Sequence, residues 1–285
     1  MNVLLLGASG FVGRHVARAL TAAGHTLVQP DARIDFAKAV TPAHWLEHLA
    51  GVDAVINAVG VLRDTRQRPM WAVHAAAPQA LFEACAQAGV RRVIQVSALG
   101  VEGNSTAYAT SKLAAEAHLL ALAEQGRVDP VVLRPSVVVG QGGASTALFK
   151  GLAAWPWLLL PEPVAHGRVQ PVHVDDLAQL CVHLLGPALN VTGRMDVVGP
   201  QVFTLQELIA QWRAALGHAP TRVALLPDRL SRWSARLGDC VPVSPWGSET
   251  LALLAQPNTG DVKAFERLLG RSPVSVGHWP REEMQ

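Results

Sequence analysis

The sequence predicts an α/β protein with a doubly wound parallel sheet, followed by a smaller, mainly helical lobe. Two observations predict this class. In the first half of the 285 residues, apolar β-type runs alternate with helical patterns, as they do in right-handed strand–helix–strand units. Beyond Gly140, glycines and prolines are frequent and helical patterns dominate. We therefore expect a sheet domain over residues 1–140 and a second lobe over 141–285, with residues 168–198 returning to the sheet.

The predicted elements follow from hydrophobic period and from turn residues. Strands are expected at Val3–Leu6, His25–Gln29, Ala54–Asn57, Arg92–Val96 and Pro130–Leu133. Helices are expected at Phe11–Ala23, Ala43–Leu49, Met70–Ala88 and Ala107–Gln125, and after them at Leu177–Leu185, Leu205–Leu216, Asp228–Leu237 and Val262–Leu269. Three of the early helices end at a glycine, namely Gly24, Gly89 and Gly126, the residue that helix C-termini favour.

Composition limits the classes of function. Half of the residues are hydrophobic and 16% are charged, which is enough to bury a large core. The formal net charge is +2 without a basic cluster, so no nucleic-acid partner is expected. The three cysteines lack metal-ligand spacing, which predicts no metal site and buried thiols in a reducing compartment. No apolar run reaches membrane-spanning length, so we expect a cytoplasmic protein without membrane insertion.

A glycine-rich turn follows the first strand, with the sequence Gly7-Ala-Ser-Gly10-Phe-Val-Gly13. Gly7 permits a tight turn, Gly10 has no Cβ to keep a pyrophosphate away, and Gly13 lets the helix pack close to the strand. The diphosphate would lie at the helix N-terminus, where free N–H groups favour an anion. The sequence therefore predicts a Rossmann-type dinucleotide site that includes Gly7, Ser9, Gly10, Phe11, Val12 and Gly13.

Tyr108 and Lys112 form the candidate catalytic pair. Their i to i+4 spacing places both side chains on one face of a predicted helix, and Tyr108 is the only tyrosine in the chain. A nearby ammonium group favours phenolate, so the sequence predicts a lowered pKa for Tyr108. Chance occurrence of the pair on a helix is the alternative.

These motifs resemble the short-chain dehydrogenase/reductase family, which carries a Tyr-x-x-x-Lys pair and a Gly-x-x-Gly-x-x-Gly turn. The resemblance implies that Tyr108 exchanges a proton with a substrate hydroxyl or carbonyl while hydride moves to or from a nicotinamide. It also implies that Lys112 holds the ribose and that Ser97 polarises the substrate oxygen. Ser97 precedes Tyr108 by only eleven residues, a shorter interval than extended epimerases have.

The resemblance also supplies cofactor contacts after the first turn. Asp35-Phe36 is similar to the family's Asp-(Leu/Val) pair beside adenine, and Asn57-Ala58-Val59-Gly60 is similar to its Asn-Ala-x-Gly segment along the cofactor. Leu133-Arg-Pro135, within Leu133–Gly140, resembles the Leu-Arg-Pro motif and makes Pro135 a further cofactor contact.

Asp31 governs the expected choice of cofactor. It ends the second predicted strand, where a carboxylate accepts hydrogen bonds from the adenosine ribose and repels a 2′-phosphate. A plain turn aspartate after proline is the other interpretation. Arg14 and Arg33 lie where related reductases hold a 2′-phosphate. The cofactor is therefore expected to be NAD(P), and we favour NAD.

The remaining motifs resemble the extended, NAD-dependent epimerase/dehydratase-like branch. Gln170–Leu177 contains a Val-His-Val-Asp-Asp sequence, in which we interpret His173 as structural and Asp175 or Asp176 as a helix cap. The compact size resembles the NmrA-like proteins and the dinucleotide-binding accessory subunit of respiratory complex I. The apolar segment Leu152–Leu160 indicates buried core, with a hydrophobic substrate or partner as the alternative.

Two functions stay open at this point. The first is an NAD(P)-dependent oxidoreductase or epimerase-like enzyme acting on an unidentified small carbonyl or alcohol. The second is a non-catalytic NAD(P)(H)-binding redox sensor or assembly protein, since fold does not settle function. Retention of Tyr108 and Lys112 favours the enzyme, because a pure binder does not need the phenol. A homodimer is compatible with either.

Overall fold

The computed structural model describes residues 1–28, 30, 34–186, 191–240, 247–254 and 256–279. The strands are β1 (Asn2–Leu6), β2 (Thr26–Val28), β3 (Ala54–Asn57), β4 (Arg92–Val96), β5 (Asp129–Pro135), β6 (Val138–Val139), β7 (Trp157–Pro161), β8 (Arg168–Val169), β9 (Val172–His173), β10 (Gly193–Val197), β11 (Phe203–Thr204) and β12 (Arg222–Leu226). The helices are α1 (Phe11–Ala22), α2 (Ala43–Leu46), α3 (Ala77–Ala88), α4 (Ala107–Glu124), α5 (Ala144–Ala154), α6 (Glu162–Ala165), α7 (Val174–His183), α8 (Leu205–Ala215), α9 (Asp228–Asp239), α10 (Ser248–Leu254) and α11 (Val262–Leu269).

The main sheet has six parallel strands in the order β10-β5-β4-β3-β1-β2. From β1 the chain first moves outward to β2 and then crosses to the other side at β3. The strand order therefore reverses between β1 and β3, and ligands of such sheets bind at the carboxyl ends of the strands beside this reversal. Leu6 lies opposite Asn57, so the two strands end at the same level. The predicted fold class is confirmed.

Both faces of the sheet are covered, because successive β1 residues point to opposite sides. Val3 and Leu5 belong to a core that also contains residues of α1, α7 and α11. Leu4 and Leu6 belong to a second core formed with α2, α3 and α4. Parallel strands buried on both faces explain why their sequences are continuously apolar.

The C-terminal lobe has a core of its own, which centres on Phe149, Trp212 and Trp279. Small two-stranded sheets join β7 to β12, β8 to β11 and β6 to β9. The strand β10 lies at the edge of the main sheet beside β5, with Val197 opposite Pro135. The division of the chain at residue 140 stays a prediction.

A π-helical turn at Ala72–Ala76 precedes α3, where the sequence predicts one uninterrupted helix. The cause is Pro78, which has no N–H to donate and whose ring would clash with the carbonyl four residues earlier. That carbonyl belongs to His74. A π-turn absorbs the conflict by inserting an extra residue into the turn.

The segment Leu152–Leu160 is only partly core. Leu158 and Leu160 are buried, whereas Trp157 is 63% and Leu159 is 61% exposed, because alternate residues of β7 point to opposite faces. The strands β7 and β12 are absent from the sequence-based expectation. An unbroken apolar run conceals the alternation that would have indicated a strand.

The cysteines, the length and hydrophobicity of the helices, and the grouping of possible metal ligands bear on the remaining expectations. Cys85 and Cys181 are buried, and burial raises the pKa of each thiol to about 12. The expectation of a buried thiol is wrong for Cys240, which is exposed at the end of α9.

Across the described residues, no helix combines the length and hydrophobicity needed to cross a bilayer. In the same part of the chain, no three His, Cys, Asp or Glu side chains are grouped to hold a metal ion.

Candidate active site

The glycine turn has the geometry that the sequence predicts. Gly7 has a φ of +85°, in the left-handed region that favours glycine. A Cβ on Gly13 would lie 2.0 Å from the Gly7 carbonyl oxygen, whereas a Cβ on Gly10 would meet only that oxygen, at 3.1 Å. Gly13 is therefore required by the packing of α1 against the turn. Gly10, which no side chain caps at the start of α1, leaves space over the helix N-terminus.

A cavity of about 830 Å³ opens beside this turn. Eight of the predicted cofactor residues line it, namely Gly7, Ser9, Gly10, Asp35, Phe36, Ala58, Val59 and Gly60. These residues come from the ends of β1 and β3 and from the segment after β2, which meet at the reversal of strand order. The cavity therefore lies where a sheet of this topology binds dinucleotides.

Other predicted cofactor residues support this cavity or lie outside it. The Asn57 side chain is buried, donates to Gln95 and accepts from the backbone N–H of Val59, so it shapes the loop. Val12 packs against the sheet core. Pro135 is the last residue of β5 and does not line the cavity. Asp31 and Arg33 lie outside the described residues.

Arg14 and Phe11 face the second lobe. The Arg14 guanidinium donates to the carbonyl of Gln141 and lies 5.7 Å from the centre of the Phe11 ring. A Cβ on Gly143 would lie 2.7 Å from the same ring. In this arrangement Arg14 binds the loop that enters α5, and neither Arg14 nor Phe11 lines the cavity. The geometry therefore does not support Arg14 as a 2′-phosphate ligand.

The candidate catalytic pair, Tyr108 and Lys112, lies on α4, which begins after the N-cap Thr106. Lys112 is buried and its Nζ donates to the carbonyl oxygen of Val96 at 3.2 Å. A Cβ placed on Gly60 would lie 3.5 Å from the same Nζ. The loop that lines the cavity therefore meets the lysine that the sequence assigns to the cofactor.

His74 joins this pair, although the sequence-based argument missed it. Its ring packs edge-to-face on Tyr108 with 5.2 Å between ring centres. Its Nε2 accepts the backbone N–H of Val61, and its Nδ1 lies 3.1 Å from the Ser111 hydroxyl oxygen. Since a backbone N–H can only donate, Nε2 is unprotonated and Nδ1 carries the proton. Burial, helped by the charge of Lys112, lowers the pKa of His74 to about 3, so this histidine is neutral.

The Ser97 hydroxyl donates to Glu116 at 2.5 Å. Glu116 is fully buried and also accepts from Arg134 and Arg194. In this structure the Ser97 proton is therefore committed to a buried ion-pair network, so the geometry does not favour the expected polarisation of a substrate oxygen. That role stays a prediction.

The lowered pKa expected for Tyr108 is wrong for this structure. Burial raises the pKa of the phenol to about 12, because removing water disfavours phenolate. Burial also lowers the pKa of Lys112 to about 8, against the opposing effect of the Glu116 carboxylate. Near neutral pH the Tyr108 phenol therefore keeps its proton. A modest rise in pH deprotonates the Lys112 ammonium group and removes its charge.

We expect Lys112→Met to stabilise the fold at pH 7 while weakening cofactor binding and turnover. A lysine whose folded-state pKa is lowered imposes a cost on folding at low pH, and this cost is relieved as pH rises from about 8 to 10.5. The replacement should add on the order of 1–3 kcal/mol to the free energy of unfolding at pH 7. Urea unfolding at several pH values measures this gain, which should shrink above pH 8.

The exposed Lys263→Met on α11 is the control for charge loss. It should leave the unfolding free energy almost unchanged at every pH. A Lys112→Met protein that is less stable than the wild type at pH 7 would contradict the expected cost of burying the ammonium.

Two further residues help to define the site. Arg68 lines the cavity, and the sequence signal for it was the arginine-rich segment that contains Arg63, Arg66 and Arg68 before Pro69. His173 is structural, as expected. Its own side chain caps α7 by accepting from the N–H of Asp175, so the predicted aspartate cap is wrong. Asp176 instead accepts from Arg271 and from the N–H of Val274.

Comparison with known proteins agrees with this fold. Ceramide reductase of Caulobacter vibrioides is 30% identical over 244 residues, covering 79% of this chain and 74% of that protein. NADH dehydrogenase [ubiquinone] 1 alpha subcomplex subunit 9 of Rattus norvegicus is 26% identical over 198 residues, covering 68% of this chain and 50% of that one. The structure of MoeE5 in complex with UDP-glucose and NAD matches all of this chain and 96% of its own, with a TM-score of 0.73 and 20% identity.

These findings confirm the class that the sequence predicts. The protein is an NAD(P)-dependent oxidoreductase or epimerase-like enzyme of the short-chain dehydrogenase type. Residues 3–199 match one protein family, whose description names dependence on NAD. The matched range includes the glycine turn, the residues that line the cavity and the Tyr108–Lys112 pair. The chain belongs to the NAD dependent epimerase/dehydratase family.

Proposed function

We propose that Tyr108 and Lys112 are the catalytic residues of a carbonyl reductase whose dinucleotide lies in the cavity beside Gly7 and Gly10. The observation that carries this proposal is the meeting at Gly60, where an added Cβ would lie 3.5 Å from both His74 Nε2 and Lys112 Nζ. The cofactor loop and the catalytic helix share this point.

The residues present fit a bound dinucleotide. The cavity is large enough for a cofactor of this class, and the Gly10 position leaves room at a helix N-terminus, which favours a diphosphate. Gly7, Gly10 and the Ala58–Gly60 loop would hold it, and Lys112 would bind its ribose. When bound, the cofactor supplies or accepts the hydride.

Reduction is the direction that the ionisation of Tyr108 favours. With a pKa near 12, the phenol is protonated near neutral pH and acts as an acid. As hydride adds to the carbonyl carbon, the Tyr108 hydroxyl gives its proton to the carbonyl oxygen and an alcohol forms. The phenolate then regains a proton from solvent. The Lys112 ammonium stabilises that phenolate.

For the substrate, we infer a carbonyl compound with a long apolar part. The relative that is 30% identical is named a ceramide reductase. A hydrophobic substrate therefore agrees with that relative.

The test is a screen with NADH and NADPH against long-chain ketones, aldehydes and quinones, with short-chain analogues beside them. We expect cofactor oxidation with the long-chain carbonyls and a higher kcat/KM than with their short analogues. Turnover of short and long substrates with equal kcat/KM would contradict the inferred substrate class. The absence of turnover with every carbonyl class would contradict the reductase proposal.

A non-catalytic role is the second candidate, because a complex I subunit is among the relatives. It predicts that the cofactor binds without any turnover and that Tyr108→Phe has no functional effect. The enzyme proposal predicts the opposite result for Tyr108.

We expect NAD(H) to bind more tightly than NADP(H), and Asp31→Ala to narrow the difference. The Asp31 carboxylate would accept hydrogen bonds from the ribose hydroxyls and repel a 2′-phosphate. Fluorescence titrations with the four nucleotides measure the affinities, and Glu124→Ala, an exposed carboxylate at the end of α4 that does not line the cavity, serves as the control. Tighter binding of NADP(H) by the unaltered protein would overturn the preference.

We also infer a reducing compartment such as the cytoplasm, because Cys85, Cys181 and Cys240 are all free thiols. A homodimer remains a proposal that sedimentation of the purified chain can test.

A further inference from the structure

Helix α9 turns its largest apolar side chains outward. Leu230 is 52%, Trp233 is 62% and Leu237 is 50% exposed, while its buried residues are the small Ser231 and Ala235. The three exposed residues are spaced i, i+3 and i+7, so they form one row along the helix. A helix that only covered the core would place these bulky side chains inside.

A row of arginines runs beside this apolar row. Arg229, Arg232 and Arg236 are also spaced i, i+3 and i+7, and all three are exposed. Each precedes an apolar residue by one position, so the arginine row lies about 100° around the helix from the apolar row. The Arg232 guanidinium pairs with Asp228 at 2.8 Å. Three arginines against two aspartates, Asp228 and Asp239, leave the helix with one net positive charge, and Arg229 and Arg236 carry the charge that faces solvent.

The strand β7 beside α9 also carries exposed apolar residues, with an arginine next to them. Helix α9 packs against β7, whose Trp157 and Leu159 are exposed on its outer face. The Arg222 guanidinium lies 4.8 Å from the centre of the Trp157 ring. Tryptophan and arginine beside leucine are the residues that lie at the boundary between lipid headgroups and acyl chains.

We propose that the outward rows of α9, together with Trp157 and Leu159, form a surface that docks on anionic lipid bilayers. The apolar row enters the headgroup region, and the arginines bind lipid phosphates. In this arrangement α9 lies parallel to the membrane surface and does not cross the bilayer.

Charge complementarity selects a lipid surface over a second copy of the chain. In a two-fold symmetric dimer the same patch meets itself, so the arginine rows would lie close to each other and repel. An anionic bilayer instead offers a uniform negative surface to the arginines and an apolar layer to the leucines and Trp233. The proposal does not depend on the reductase reaction, since it concerns binding alone.

The experiment is co-sedimentation of the full chain with vesicles made of equal parts phosphatidylglycerol and phosphatidylcholine, and with vesicles of phosphatidylcholine alone. Two variants test the two rows, L230S/W233S/L237S and R229Q/R232Q/R236Q. The controls are V40S/L46S, which removes exposed apolar residues elsewhere, and R18Q/K263Q, which removes exposed charges elsewhere. Thermal unfolding and dinucleotide affinity establish that each variant is folded.

We expect the unaltered chain and both controls to bind the anionic vesicles, and each α9 variant to bind at least about tenfold more weakly. Binding should weaken on neutral vesicles and at high salt, because the arginine contribution is electrostatic. The proposal is overturned if the unaltered chain fails to bind anionic vesicles, or if folded α9 variants bind as it does. It is also overturned if the apolar variant abolishes a dimer in sedimentation and has no effect on vesicle binding.

Discussion

Replacing Tyr108 with phenylalanine is expected to lower turnover by roughly 10² to 10⁴ while leaving dinucleotide affinity nearly unchanged. Phenylalanine keeps the aromatic ring, and with it the edge-to-face contact on His74. It removes only the hydroxyl that would transfer the proton. A large fall in kcat without a change in cofactor binding would therefore isolate proton transfer from packing.

The measurement is steady-state kinetics on a carbonyl substrate found in the screen, together with fluorescence titration of NADH. Because burial raises the pKa of Tyr108 to about 12, the wild-type reduction rate should show no ionisation of this phenol near neutral pH. It should instead fall as pH rises through about 8, where Lys112 loses its charge. The rate of Lys112→Met should not fall in this pH range, because the variant has no ammonium group at this position that can lose its proton.

Phe11→Leu provides a matched control, since it also changes an aromatic residue of the region but one that does not line the cavity. Its turnover should remain within a few-fold of the wild type. A Tyr108→Phe enzyme with wild-type kcat on the same substrate would remove the reductase mechanism and leave the cofactor-binding alternative.

The parts of this site that the sequence predicts are those encoded locally. The glycine motif is a run of seven residues that joins β1 to the first turn of α1. The positive φ of Gly7 and the close approach at Gly13 follow from their missing Cβ atoms. The pair Tyr108 and Lys112 needs only the helical period. Neither inference requires knowledge of what packs against the segment.

The parts that the sequence does not predict depend on contacts between distant residues. His74, which packs on Tyr108, lies within the π-turn Ala72–Ala76, and the sequence signal for that turn was Pro78, one helical turn after His74. The direction of the Tyr108 pKa depends on burial by other segments, which the i to i+4 spacing does not contain. The Ser97 hydroxyl bonds to Glu116, nineteen residues away, for the same reason.

In the second lobe, β7 and β12 pair across more than sixty residues of chain, with Trp157 opposite Arg222. Such pairing leaves no local signature when both faces of a strand carry apolar residues. The exposure of Trp157 and Leu159 could therefore not be separated from burial by sequence pattern alone. These residues matter because they join α9 in the proposed lipid-docking surface.

Replacing glycine in the turn should separate cofactor binding from folding, which makes it the sharpest test of the cavity. In Gly13→Ala, the new Cβ would lie 2.0 Å from the Gly7 carbonyl oxygen and 2.6 Å from its carbon. These are backbone atoms that cannot move without displacing β1 or α1. We expect a loss of more than about 4 kcal/mol in the free energy of unfolding, the range of severe core disruption, and little folded protein.

Gly10→Val should instead fold and lose the cofactor. The Gly10 backbone has φ −78° and ψ 174°, an extended conformation that valine adopts readily. Its Cβ would meet only the Gly7 oxygen, at 3.1 Å, so a small adjustment accommodates it. The added methyl groups would occupy the space over the N-terminus of α1, and dinucleotide affinity should fall at least about a hundredfold, or roughly 3 kcal/mol. Gly151→Ala, a helical glycine with open space around its Cβ position, should keep the affinity and stabilise α5 slightly. Calorimetric titration of the wild type, Gly10→Val and Gly151→Ala decides the assignment, because a folded Gly10→Val protein that binds the dinucleotide as tightly as the wild type would place the pyrophosphate elsewhere.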